Sequence, residues 1–182
     1  MSGLKLAAEA IGAFNERLGR LTAWLALFMV LIQFVVVLMR YVFGVGSIAM
    51  QESIVYMHGV LFMVGAGYTL LHDGHVRVDI FYREAHPRTK AIIDLLGSLF
   101  LLLPVVALIW IYSLPYVTRA WSVLEGSKET SGIQGVYLLK TVVLAFCVLV
   151  ALQGIALAIR SLLVLLDGAS AVESRPPHQP EV

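Results

Sequence analysis

LTAWLALFMVLIQFVVVLM, residues 21–39, contains no Asp, Glu, Lys or Arg and is fenced by Arg20 and Arg40. Its nineteen residues, at about 1.5 Å each in a helix, reach roughly 29 Å, close to the ~30 Å of a bilayer's hydrocarbon core. The pattern recurs over Ser53–Leu71 between Glu52 and Asp73, over Leu95–Thr118 between Asp94 and Arg119, and over Thr141–Ile159 between Lys140 and Arg160. Two of these repeats also hold nineteen residues and the third holds twenty-four. A charge costs several kcal/mol in hydrocarbon, so charge-free runs of this length read as membrane-crossing helices. The predicted fold is all-α, with four transmembrane helices and short interfacial helices.

Composition supports this. The 182 residues are 59% hydrophobic and 14% charged, with a mean hydropathy of +0.87. A soluble domain of that composition would expose too much apolar surface. A net charge of +1 gives no footprint for nucleic acid. The single cysteine, Cys147, allows no intrachain disulfide and reads as a small packing residue of the fourth span. The first apolar run reads as a retained signal anchor, since it is long and no small-residue cleavage site clearly follows it.

Three regions are expected: a cytoplasmic helical lead-in over 1–20, the transmembrane domain over 21–166, and a disordered cytoplasmic tail over 167–182, which contains Pro176, Pro177 and Pro180. Leu4, Ala7, Ala8, Ile11, Phe14 and Leu18 recur at helical spacing in the lead-in. That segment either lies on the membrane surface or extends the first span, and the lack of a turn signal favours extension. With the N-terminus inside, nine Lys and Arg residues fall on the cytoplasmic side and four on the other. The positive-inside tendency therefore predicts both termini in the cytoplasm.

The loops carry most of the polar signals. Gly44 and Gly46 end the first helix and Ser47 is placed to cap the second. Gln51 and Glu52 fall in the second helix's first turn, where the helix dipole favours a carboxylate. Arg40 and Glu52 either pair across this short loop or stand as separately solvated end charges. The inner loop HDGHVRVDIFYREAHPRTK, residues 72–90, has Gly74 to end the second helix. Asp79 is placed to cap a short helix holding Phe81, Tyr82, Arg83 and Glu84, and Pro87 suits the first turn of the third span. His75, Arg77 and Asp79 are candidates for fixing this loop. Pro104 removes a backbone hydrogen bond and predicts a kink in the third span. The second outer loop, 119–135, puts Trp121 at the interface, with the rest expected mobile and polar. Lys140 and Arg160 are candidate anchors for the fourth span.

The interior offers little chemistry. His58 is the histidine inside a span, and His72 lies fourteen residues later on the same helix, about 21 Å along its axis, so the two cannot clamp one haem. No carboxylate lies near mid-membrane, where an autonomous ion-coupled transporter usually has one. His58 is able to titrate in principle, but such a residue more often hydrogen-bonds a neighbouring helix. Gln33 and Gln153 lie near the middles of the first and fourth spans, where amides commonly join helices. Gly59, Gly65, Ala66 and Gly67 permit close helix approach. No cofactor, metal or enzymatic activity is expected.

Arg40-Tyr41, then Met50-Gln51-Glu52-Ser53, then HDGHVRVD over 72–79 resemble the small membrane subunit, of DctQ type, of tripartite ATP-independent periplasmic (TRAP) transporters. Trp121, Gly126, Glu129 and Ser131, followed by Lys140 and Leu152-Gln153-Gly154, continue the resemblance over roughly 15–166. One departure is that Met50, Gln51 and Glu52 stand where the family often has Trp and two acids. The resemblance implies a bacterial inner-membrane scaffold that pairs with a large permease subunit carrying the sodium sites. It also implies a periplasmic binding protein that delivers an organic acid. Outside that family, the residues leave open a small autonomous exporter using His58, or a membrane anchor for a redox enzyme.

Overall fold

Each charge-free stretch lies inside a helix in the computed structural model of the chain, which describes residues 2–76 and 82–167. Helix α1 runs Ser2–Val42, α2 Ile48–Leu71, α3 Pro87–Gly97, α4 Leu103–Ser122 and α5 Val136–Asp167. A π-helical turn, Ser98–Leu102, joins α3 to α4. Four helical spans are long and apolar enough to cross a membrane, with α3, the π turn and α4 forming the third. Among the described residues the chain has no strand.

The lead-in and the first span form one helix. Its 41 residues reach about 60 Å, twice the thickness of the hydrocarbon core. Of the apolar positions read from the lead-in, only Ala8 is fully buried, while Leu4 and Phe14 are about half exposed. The packed face is instead Ala8, Gly12, Asn15, Gly19 and Thr22. A side chain on Gly19 would run into the Tyr68 ring, and one on Gly12 would meet Leu71 and Arg160. Small residues thus win the packed face because they let α2 and α5 come close, leaving the bulky apolar ones outside.

The helix ends follow local chemistry. Gly44 takes a left-handed φ of 68°, and the Val45 N–H closes back onto the Met39 carbonyl at 3.0 Å. Ser47 caps α2 by accepting from the Met50 N–H. At the far end of α2 the left-handed residue is Asp73 (φ 60°) rather than Gly74. Gly74 donates its N–H to Thr69 at 2.8 Å. Pro87 stands in the first turn of α3, where its missing N–H costs nothing.

Pro104 acts through the π turn before it. Its ring would crowd the carbonyl four residues back, at Phe100. The wider turn accommodates it, and the Leu103 N–H reaches the Ser98 carbonyl, five residues back. Arg77, Asp79 and Phe81 lie outside the described residues, as does the tail from 168. The described part of the short helix expected at 81–84 is a turn, closed by the Ala85 N–H on the Tyr82 carbonyl at 3.2 Å. Tyr82 donates to Asp94 at 2.8 Å, and that side-chain bond ties the loop to α3.

Helix α5 is the axle. It packs against α1, α2, α3 and α4, whereas among the described residues the backbones of α1 and α2 stay apart from those of α3 and α4. Cys147 and Val150 of α5 meet Val106 of α4 in the core, which accords with the packing role read for Cys147. Gly67 of α2 lies against Leu149 of α5, and Gly154 of α5 lies against Leu102. The α1–α2 hairpin is therefore held on one flank of α5 and the α3–α4 span on the other.

Candidate functional site

Polar side chains gather around the middle of α5 and at its two ends. Near the middle, Asn15 of α1 donates to the Gln153 side-chain oxygen at 3.1 Å, and both residues are buried. The Asn15 side-chain oxygen has no hydrogen-bond partner and points at Gly67. The next residue, Glu16, binds His72 at 2.5 Å and Arg20 at 2.7 Å. The Tyr68 ring packs on His72 with 4.3 Å between centroids. Arg160 donates to the Ala8 carbonyl at 3.3 Å, holding the lead-in to the end of α5. These contacts fasten α1, α2 and α5 to one another, and they use an amide, an acid and a histidine that sequence reasoning did not combine.

At the end of α5 that is expected to face outward, the second loop, 119–135, is tied down rather than free. Glu52 accepts from the Ser127 hydroxyl at 2.5 Å and from the Ile133 N–H at 2.6 Å. The Tyr56 hydroxyl donates to the Ile133 carbonyl at 3.4 Å. An Arg40–Glu52 ion pair, open from the sequence, does not form: Glu52 spends its oxygens on the loop 75 or more residues ahead. Arg40 stays exposed. Lys140 binds Glu125 at 2.5 Å and sits 4.0 Å over the Tyr116 ring. Trp121 donates to Thr141 at 2.8 Å and meets the Tyr137 ring edge-on at 4.7 Å. The loop expected to be mobile is thus stitched to α2, α4 and α5. A chain of acid, hydroxyl and peptide groups like this positions a surface.

Between the two ends the polar residues divide. Gln153 joins helices as amides do, but Gln33 is exposed on α1. His58 is exposed as well, stacked on Phe62 at 6.2 Å. Among the described residues neither His58 nor Gln33 has a hydrogen-bond partner, so the interhelical bond expected of His58 is not made within the chain. Gln51 and His75 are exposed near opposite ends of α2.

A family model described as tripartite ATP-independent periplasmic transporters, DctQ component, matches residues 29–164, well over half of the chain. The chain belongs to the DctQ family. Neither a curated protein nor a solved structure gives a match. The segment matched to DctQ contains the whole outer cluster, from Glu52 to Thr141, together with His58 and Gln153. Asn15, Glu16 and Arg20 precede it. As a DctQ protein the chain is a membrane component of a transporter, and its charged groups stand outside the four charge-free stretches.

Sequence reasoning missed Asn15, Glu16 and Ser127. The signal for Asn15 was available: it falls in the run Ala8, Gly12, Asn15, Gly19 and Thr22, spaced four and three, which marks a packing seam of small residues. No comparable signal pointed to Ser127, whose partner is set by tertiary folding.

Proposed function

We propose that this chain is the fixed scaffold subunit of an uptake system for organic acids, without a reaction of its own. It works with a large permease that carries the moving transport domain and the sodium sites, and with a periplasmic binding protein that delivers the solute. It resides in a bacterial inner membrane with both termini in the cytoplasm. The family match supports the system, and the excess of Lys and Arg on the inner loops supports the orientation.

The observation that carries the scaffold role is where the charges stand. Glu16, Glu52, Glu125, Lys140 and Arg160 lie beyond or at the edges of the charge-free stretches and bind neighbouring elements. The charge-free interior has no carboxylate to hold or release a cation. The outer loop, fixed by Glu52 and Lys140, is a stable platform facing the side where a binding protein arrives.

Reconstitution tests this. Vesicles holding this chain alone, given binding protein, solute and an inward sodium gradient, are expected to accumulate no solute. Adding the large permease is expected to start uptake. Sodium-driven accumulation by this chain alone would overturn the scaffold role, and its loss in His58→Ala would point to the exporter reading.

A further inference from the structure

Helix α2 leaves very little of itself open. Its exposed residues are Ile48, Gln51, Val55, His58 and Phe62. Their intervals are three, four, three and four. All other α2 residues are at least partly covered by the chain. The next position of the series, Gly65, has open space where a side chain would be. A spacing that averages 3.5 residues keeps one straight seam along a helix, and it is the repeat by which two helices wind together at a shallow left-handed crossing. Among the other outward faces, the narrow one of α5, at Leu138, Val148, Ile155, Leu162 and Leu166, carries no polar side chain, and those of α1 and α4 are broader. Helix α1 exposes most of its surface, including Trp24, Phe28, Leu31 and Phe34, and α4 exposes Val105, Leu108, Ile111 and Tyr112. Broad faces of that kind suit lipid, whereas a single narrow stripe suits one helix.

The polar content of the stripe decides between lipid and protein. His58 lies six residues beyond Glu52, about 9 Å into the span. A neutral imidazole has one donor and one acceptor, and hydrocarbon satisfies neither. Gln33 on the neighbouring helix lies seven residues before Arg40, about 10 Å in from the same membrane edge. Two unpartnered polar groups therefore stand at one depth on the α1–α2 hairpin.

We infer that the α2 seam from Ile48 to Gly65 receives a transmembrane helix of the large permease, which bears a hydrogen-bonding side chain opposite His58. This rests on the scaffold reading above, because a tripartite system's membrane component needs a membrane partner. Val55 and Phe62 supply the apolar contact, Gly65 lets the partner backbone approach, and His58 fixes the depth at which the two helices register.

The test uses native membranes containing the complete system. A benzophenone side chain is placed at Val55 or Phe62 of a tagged chain, and at Phe34 or Leu108 as lipid-facing controls. Illumination is expected to join the permease to the chain from Val55 and Phe62 and not from the controls. His58→Leu is expected to lower the permease recovered with the tagged chain in detergent, roughly three- to tenfold. His58→Gln, which keeps a donor and an acceptor, is expected to restore it. If wild-type chain brings no permease through purification, the scaffold reading fails and the seam with it. If permease copurifies but crosslinks only from the controls, or the seam crosslinks to lipid or to a second copy of this chain, the seam assignment alone is overturned.

Discussion

At the scale of single residues, the buried amide pair best shows what composition hides. Asn15 and Gln153 are among the most enclosed side chains, and their 3.1 Å bond joins the first helix to the last. Removing one partner strands a polar group in an apolar site, which costs about 1–3 kcal/mol, whereas removing both leaves nothing to strand. Gln153→Leu or Asn15→Leu alone is expected to lower the melting temperature in detergent. The double variant is expected to lie above the sum of the two losses, and a thermal-melt cycle over the four proteins checks this. Strict additivity would mean that the pair is not coupled. Gln153 was legible in sequence as a helix-joining amide, because a lone amide in a charge-free span has few other uses. Gln33 looked the same and is exposed, since the pattern gives depth but not the side of the helix that packs.

At the scale of elements, the helices were legible and their fastenings were not. Charge is costly in hydrocarbon, so Arg20, Arg40, Glu52 and Asp73 mark span ends directly in the sequence. Ser47 and Pro87 act through neighbours a few residues away, and both stand where local rules put them. The outer loop depends on Glu52, whose partners Ser127 and Ile133 come 75 and 81 residues later. No local rule reaches that far, and the loop's Gly, Ser and Lys content suggested freedom. Glu52→Ala removes the acceptor of both bonds while leaving the helix cap at Ser47 intact. It is expected to free the loop, with trypsin cutting at Lys128 several times faster than in wild type under native conditions. Time-resolved gel analysis of the fragments measures it. Glu125→Ala, which releases Lys140 but leaves Glu52 in place, is expected to have the smaller effect.

At the scale of the whole molecule, hydropathy alone is blind to which span is central. The best windows of α1 and α5 have nearly equal mean hydropathy, 2.6 and 2.8, yet 6% of the first and 39% of the second lies buried within the chain. Lipid and protein interior both select apolar side chains, so the two environments read alike. Helix α5 buries small residues within and just beyond its charge-free stretch, at Gly154, Ala156, Ala158 and Ser161, whereas α1 buries most of its own ahead of that stretch, at Ala8, Gly12 and Gly19. The small residues of α5 let helices from both flanks close on it. Gly154 gives the sharpest test, because a side chain there would collide with Leu102, the last residue of the π turn. Gly154→Val is expected to push α4 outward and to cost about 1–3 kcal/mol by overpacking. The loss should be local to one flank. A cysteine pair bridging α4 and α5 is expected to form its disulfide more slowly in Gly154→Val, while a pair bridging α1 and α2 keeps its rate. Equal slowing of both pairs would contradict an axle with two separately docked flanks, and would instead describe four helices that pack as one cooperative unit.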